Sequence, residues 1–279
     1  MSRSSRRFLS GCFALLPILL LLTGCAPAGT QTSPTAALRS PDPAFSRFYT
    51  QKVRWHACEQ SAQCANVKVP LDWSTPDGET ISLAVVRHKP TGRSQGSLFM
   101  NPGGPGQAAI DYVGRTDYRD YFFGKQLQQH YTLIAFDTRG VGRSRPAVRC
   151  LDAAGMDDFL YRLPTATPGS AAYIQESRSQ LKAFGEACER KTGALLAHMD
   201  SMSTVRDMDV LRAISGDARL NYLGYSYATK LGAPYAQTFP DRVGRFELDG
   251  PVNPAPGNPA PTLGQARGLG QATKRSLSW

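Results

Sequence analysis

At 279 residues, 41% hydrophobic and 19% charged, the chain has the size and polarity of one large globular domain or two small ones. Its formal charge of +10 includes the cluster Arg139, Arg143, Arg145 and Arg149, which has neither interleaved aromatic residues nor a nucleic-acid motif. A nucleic-acid partner is not expected, and the basic balance reads as a solvated face near an anionic envelope.

Residues 1–25 read as a targeting segment. Arg3, Arg6 and Arg7 make a positive start, and the apolar run 12–22, interrupted by Pro17, is shorter than the roughly 20 residues a spanning helix needs. The run ends in Leu22-Thr23-Gly24-Cys25, which looks like a bacterial lipoprotein processing box, with Cys25 the acylated new N-terminus. An ordinary secretory cut near Ala26-Pro27-Ala28 is the alternative. Residues 26–48, rich in Ala, Thr, Ser and Pro, predict a disordered tether that holds a domain starting at residue 49 off a membrane surface.

Four cysteines follow: Cys58, Cys64, Cys150 and Cys188. An even number in an exported chain predicts disulfides, and of the three pairings Cys58–Cys64 with Cys150–Cys188 is the simplest. His56, Cys58 and Cys64 lack the fixed spacing of metal ligands. The reading calls for no metal and no cofactor.

Residues 67–70 and 79–88 predict paired strands around the turn Thr75-Pro76-Asp77-Gly78. An apolar strand at 98–101 runs into a glycine-rich loop, with a helix from about Gln107. Residues 132–136 predict the next strand, apolar from Leu133 onward, as a strand covered on both faces requires. A long polar helix is predicted at about 170–191 and another at 203–214, where Val205, Met208 and Leu211 recur at helical spacing. A strand at 220–223, a helix to about Thr238 and a strand at 245–248 follow. Alternating strands and helices predict an α/β chain with a doubly wound, mostly parallel sheet.

Three strand ends carry the chemistry. Gly224-Tyr225-Ser226-Tyr227-Ala228 has the strand–turn–helix context of a nucleophile elbow, with small residues two before and two after the serine. Ala228 meets the second need only approximately, since the usual pattern ends in glycine. Asn101-Pro102-Gly103-Gly104-Pro105-Gly106 is a loop able to aim bare N–H groups at an oxyanion. Asp137-Thr138-Arg139-Gly140-Val141-Gly142-Arg143-Ser144 is a third glycine-punctuated strand end.

With the segment FPDRVGRFELDG at 239–250, these motifs resemble the α/β-hydrolase serine peptidases, specifically the secreted tripeptidyl aminopeptidase and proline iminopeptidase group. The resemblance implies an α/β-hydrolase fold, with Ser226 as nucleophile. It assigns the oxyanion hole to the N–H of Tyr227 and of Gly104, with Gly103 an equal choice for the second, and makes Asp137, Arg139, Ser144 and Asp249 scaffold. It further implies a lid helix at 264–279 and an acid and a histidine beyond it.

All four histidines, His56, His88, His130 and His198, precede Ser226, whereas the fold's order is Ser, acid, His. The expectation is therefore the N-terminal part of such a domain, truncated before the lid and last strands. The function expected is an exported, lipid-anchored aminopeptidase that acts on peptides through a Ser226 acyl-enzyme. An esterase or lipase on the same fold, and a non-catalytic surface lipoprotein, are the alternatives.

Overall fold

The computed structural model describes residues 34–253 and 260–277. The signal segment, Cys25 and the first part of the expected tether lie outside the described residues.

Seven strands form one mixed sheet in the order β1-β2-β3-β5-β4-β6-β7. They are β1 (His56–Cys58), β2 (Ala62–Pro70), β3 (Thr80–His88), β4 (Ser97–Asn101), β5 (Thr132–Phe136), β6 (Leu220–Tyr225) and β7 (Val243–Asp249). β1, β2 and β3 are antiparallel neighbours, and β3 meets β5 antiparallel; β5, β4, β6 and β7 then run parallel. β4 is buried along its whole length, so its continuous apolar run is that of a strand covered on both faces.

Adjacent residues on the central strands serve opposite layers. Val85, Phe99 and Ile134 join one core; Val86, Leu98, Met100 and Leu133 join the other. The second core is roofed by the short helices α1 (Ile110–Gly114), α2 (Thr116–Phe122) and α3 (Lys125–His130), through Ile110, Val113 and Phe123. The expected single helix from Gln107 is thus three pieces, and it starts later because Asp137 Oδ1 accepts from the N–H groups of Ala109 and Ile110 at 2.7 and 3.2 Å. That carboxylate fixes the helix start.

The first core is covered by α6 (Ser201–Ile214) and α7 (Thr229–Thr238). Along the chain, α4 (Ala153–Tyr161) and α5 (Ala171–Thr192) come between β5 and α6. The sequence reading missed α4, although Asp152 caps it by accepting from Gly155 N–H at 2.8 Å. It also missed β1, a three-residue strand. Cys58 pairs with Cys64 and Cys150 with Cys188, the simplest pairing. Closing the 38-residue separation of the second contributes about 3–4 kcal/mol in the chain-entropy model.

The packed chain begins earlier than residue 49. Phe45 and Phe48 are buried, and their ring centroids lie 4.9 and 6.3 Å from that of Trp73. The last residues of the expected tether are therefore core: two aromatic side chains bury more apolar surface than the surrounding Ser and Pro can offset. At the other end, α8 (Ala260–Ser276) is a helix where one was expected, and its described side chains are exposed. Among the described residues no helix is long and apolar enough to cross a membrane.

Two buried carboxylates on α6 tie this helix to the segments packed around it. Asp207 receives Arg139 bidentately, Nε at 2.6 Å and Nη2 at 2.8 Å, and Trp73 Nε1 at 3.1 Å. Asp209 accepts from Tyr49 and Tyr235 hydroxyls at 2.8 and 3.0 Å, from Arg212 Nε at 2.8 Å, and from Arg242. Burial, followed by the Asp209 charge, raises the pKa of both phenols far above the ordinary tyrosine value.

Candidate active site

β6 ends at Tyr225, and Ser226 stands exposed at the start of the turn that leads into α7. Its φ is +52°, a left-handed conformation that a non-glycine residue holds only under strain on the order of 1–3 kcal/mol. The surroundings over-determine that conformation. Thr229 Oγ1 donates to the Ser226 carbonyl at 2.7 Å and accepts from Val252 N–H at 2.9 Å. Tyr222 Oη donates to the Ala228 carbonyl at 3.0 Å. A Cβ on Gly224 would lie 2.6 Å from the Tyr222 ring and 3.2 Å from the Ala228 carbonyl oxygen, so only glycine fits two before the serine. Ala228 is fully buried, and the turn accommodates its methyl.

The glycine-rich loop after β4 lies against this turn. Gly103 has φ +98°, and a Cβ there would sit 2.5 Å from the Tyr225 carbonyl oxygen, 3.2 Å from Tyr227 N and 3.3 Å from Ser226 Cβ. Two strand ends are thus brought to backbone contact, which the absence of a side chain alone permits. The N–H of Gly103 donates to buried Asn101 Oδ1 at 2.9 Å. That bond engages one of the two N–H groups assigned to the second oxyanion donor and leaves Gly104. Asn101 as organiser of the loop escaped the sequence reading, although an Asn-Pro-Gly turn, whose side chain bonds a backbone N–H two residues on, is a legible signal.

The third strand end holds the segment that follows the glycine loop. Asp137 Oδ2 accepts from Arg143 N–H at 2.8 Å while its Oδ1 holds the start of α1, which follows the glycine loop. Ser144 Oγ donates to the Asp137 carbonyl at 2.6 Å and accepts from Ala84 N–H at 2.9 Å. Arg139 reaches α6 through Asp207. The side chains of Asp137, Arg139 and Ser144 are thus all engaged within the protein.

The histidines stand elsewhere. His56 is exposed on β1. His88 ends β3, and its Nδ1 is buried with no hydrogen-bond partner; burial, then the Arg119 charge, hold its pKa below 6.5. His130 closes α3. His198 Nδ1 lies 4.0 Å from Asp72 Oδ1. Among the described residues the Ser226 hydroxyl meets no hydrogen-bond partner, and no group of three or more His, Cys, Asp or Glu is placed to hold a metal. Asp249 is exposed at the end of β7, opposite Tyr225 in register. Burial, then the charges of Asp249 and Glu247, push the Tyr225 phenol up.

A strand–turn–helix serine, a glycine loop in backbone contact with it and a mixed sheet of this order point to one family, and the model of the alpha/beta hydrolase fold family matches residues 96–270. The chain belongs to the α/β-hydrolase fold family. The chain is 36% identical over 235 residues to the serine protease Hip1 of Mycobacterium tuberculosis, across 80% of this chain and 44% of that protein. It is 40% identical over 223 residues to the tripeptidyl aminopeptidase of Streptomyces lividans, across 76% and 40% respectively. With carboxylesterase B of Mycobacterium tuberculosis it shares 35% identity over 259 residues, across 87% and 48%. The chain spans less than half the length of these curated relatives.

Proposed function

We propose that the chain carries the nucleophile half of a serine hydrolase, an exported aminopeptidase that releases short peptides or residues from the N-terminus of its substrates through an acyl-enzyme on Ser226. The observation that carries this reading is the exposed Ser226 at φ +52° with the Gly103 backbone packed against it. Such a turn presents an oxygen nucleophile next to backbone donors. In the proposed reaction Ser226 Oγ attacks the scissile carbonyl, and the N–H groups of Tyr227 and Gly104 hold the developing oxyanion. Each such donor is worth about 3 kcal/mol of transition-state stabilisation. The amine then leaves and water resolves the ester. The general base comes after the nucleophile in the chain order of this fold.

Peptide specificity is supported by the identity to the serine protease Hip1 and the tripeptidyl aminopeptidase. A second reading, ester hydrolysis at the same serine, draws on the identity to carboxylesterase B. Protein purified from its natural source should be labelled by a fluorophosphonate probe, and Ser226→Ala should abolish the label. It should then release aminoacyl or tripeptidyl anilides. Turnover of simple esters alone would sink the peptidase reading, and an unlabelled Ser226 would sink both.

We further propose residues 1–25 as a lipoprotein signal and acylated Cys25 as an anchor in the cell envelope, with a tether leading to the domain. The Leu22-Thr23-Gly24-Cys25 motif supports this. Membrane partition that survives Cys25→Ser would refute it.

A further inference from the structure

On its Tyr227 side the nucleophile turn is flanked by a cavity of about 240 Å³. Its walls include Pro105 and Gly106 from the glycine loop, Val141 from the loop after β5, Met199 before α6, and Tyr227 and Leu231 at the start of α7. We propose that this cavity seats a neutral, apolar side chain of the substrate residue whose carbonyl Ser226 attacks. The proposal rests on the reading of Ser226 as nucleophile and adds the class of residue it accepts.

Three observations carry it. The first is position. Pro105 and Gly106 directly follow Gly104, and Tyr227 directly follows Ser226. The cavity thus adjoins both N–H groups to which the oxyanion is assigned, and an acyl substituent directed into it would meet these residues.

The second is charge. Arg139 borders the cavity, yet all five of its N–H donors are engaged. They go to Asp207 twice and to the carbonyls of Leu71, Pro70 and His198, at 2.6 to 3.2 Å. Tyr227 Oη is hydrogen-bonded to Ser201 Oγ at 2.9 Å, and Thr204 Oγ1 donates to the Asp200 carbonyl at 3.3 Å. The wall offers no free ion to meet a charged side chain, whose desolvation would go uncompensated.

The third is size and softness. An apolar cavity of about 150 Å³ holds benzene, so this one has room for a leucyl, methionyl or phenylalanyl group. Met199 gives one wall a flexible, polarisable surface that adapts to shape. Its thioether leans on the loop after β5, where its sulfur lies 3.2 Å from the place a Cβ on Gly140 would take.

The test uses the full chain carrying ¹³C-methyl methionine, titrated with N-acetyl-phenylalaninamide, N-acetyl-leucinamide and N-acetyl-lysinamide. The Met199 resonance is assigned with Met199→Leu, while Met100 and Met208, both in the cores, report that the fold is intact. Expected is a saturable shift of Met199 with the two apolar amides, binding about tenfold or more weaker for the lysyl amide, and loss of the shift in Val141→Trp. Should Val141→Trp disturb Met100 or Met208, Val141→Leu replaces it, and the preference for the phenylalanyl over the smaller leucyl amide should fall. A silent Met199, equal binding of the lysyl amide, or a shift that persists in Val141→Trp overturns the proposal. Fluorophosphonate labelling of the same samples separates the two readings. Labelled Ser226 with a silent Met199 overturns the cavity alone; a responding Met199 with unlabelled Ser226 supports the cavity and overturns the nucleophile.

Discussion

Replacing Asp207 by alanine should be among the most damaging single changes in the molecule. The Arg139 and Asp207 side chains are 1% and 0% exposed, and two short bonds join them. Without Asp207 the guanidinium keeps only the carbonyls of Leu71, Pro70 and His198, and its charge is left buried without a counter-ion. Breaking one partner of such a pair costs about 3–5 kcal/mol. At roughly 2–4 °C per kcal/mol for a domain of this size, the melting temperature should fall by roughly 6–20 °C. Circular dichroism melts under non-reducing conditions, with urea titrations alongside, measure it. The double variant Arg139→Met/Asp207→Leu removes both charges and should recover most of the loss, because the penalty lies in the orphaned ion and not in the lost contact. A loss below about 1 kcal/mol for Asp207→Ala, or a double variant no better than the single, refutes this reasoning.

On the proposed mechanism, Gly103→Ala should slow fluorophosphonate labelling of Ser226 by about a hundredfold or more, since its methyl would collide with the Tyr225 carbonyl and push the glycine loop off the turn. Labelling at the parent rate would show that the contact is irrelevant to the chemistry. His88 should weaken the fold in acid: its pKa is held below 6.5 by burial and by Arg119, with Asp120 opposing. The unfolded chain therefore takes up a proton as pH falls through about 6.5 while the folded chain resists it, and stability declines. His88→Gln should flatten the urea midpoint between about pH 6.5 and 5 relative to the parent; an unchanged slope counts against this account.

The sheet was legible wherever a strand is buried on both faces or ends in a turn with its own chemistry. The strand at 132–136 matches the structure residue for residue because Leu133, Ile134, Ala135 and Phe136 form an unbroken apolar, buried run. The turn at Ser226 was legible because steric need and chemical role fall on neighbouring positions, Gly224 and Ser226. β1 was not, since a three-residue strand has no period to read. The start of the packed domain was misplaced because Phe45 and Phe48 sit among Ser and Pro, and only the distant Trp73 shows what they pack on. Gly103 and Gly104 differ through a local signal the reading passed over: Asn101, two residues before Gly103, engages the Gly103 N–H.

The Thr229 hydroxyl, with Ser226 on one side and Val252 on the other, works as a firebreak. It fastens the chain once more just after β7, before anything downstream can pull on the serine. A change in length or shape beyond Val252 can then be absorbed without re-aiming the serine. What lies downstream is decoupled from the geometry of the turn.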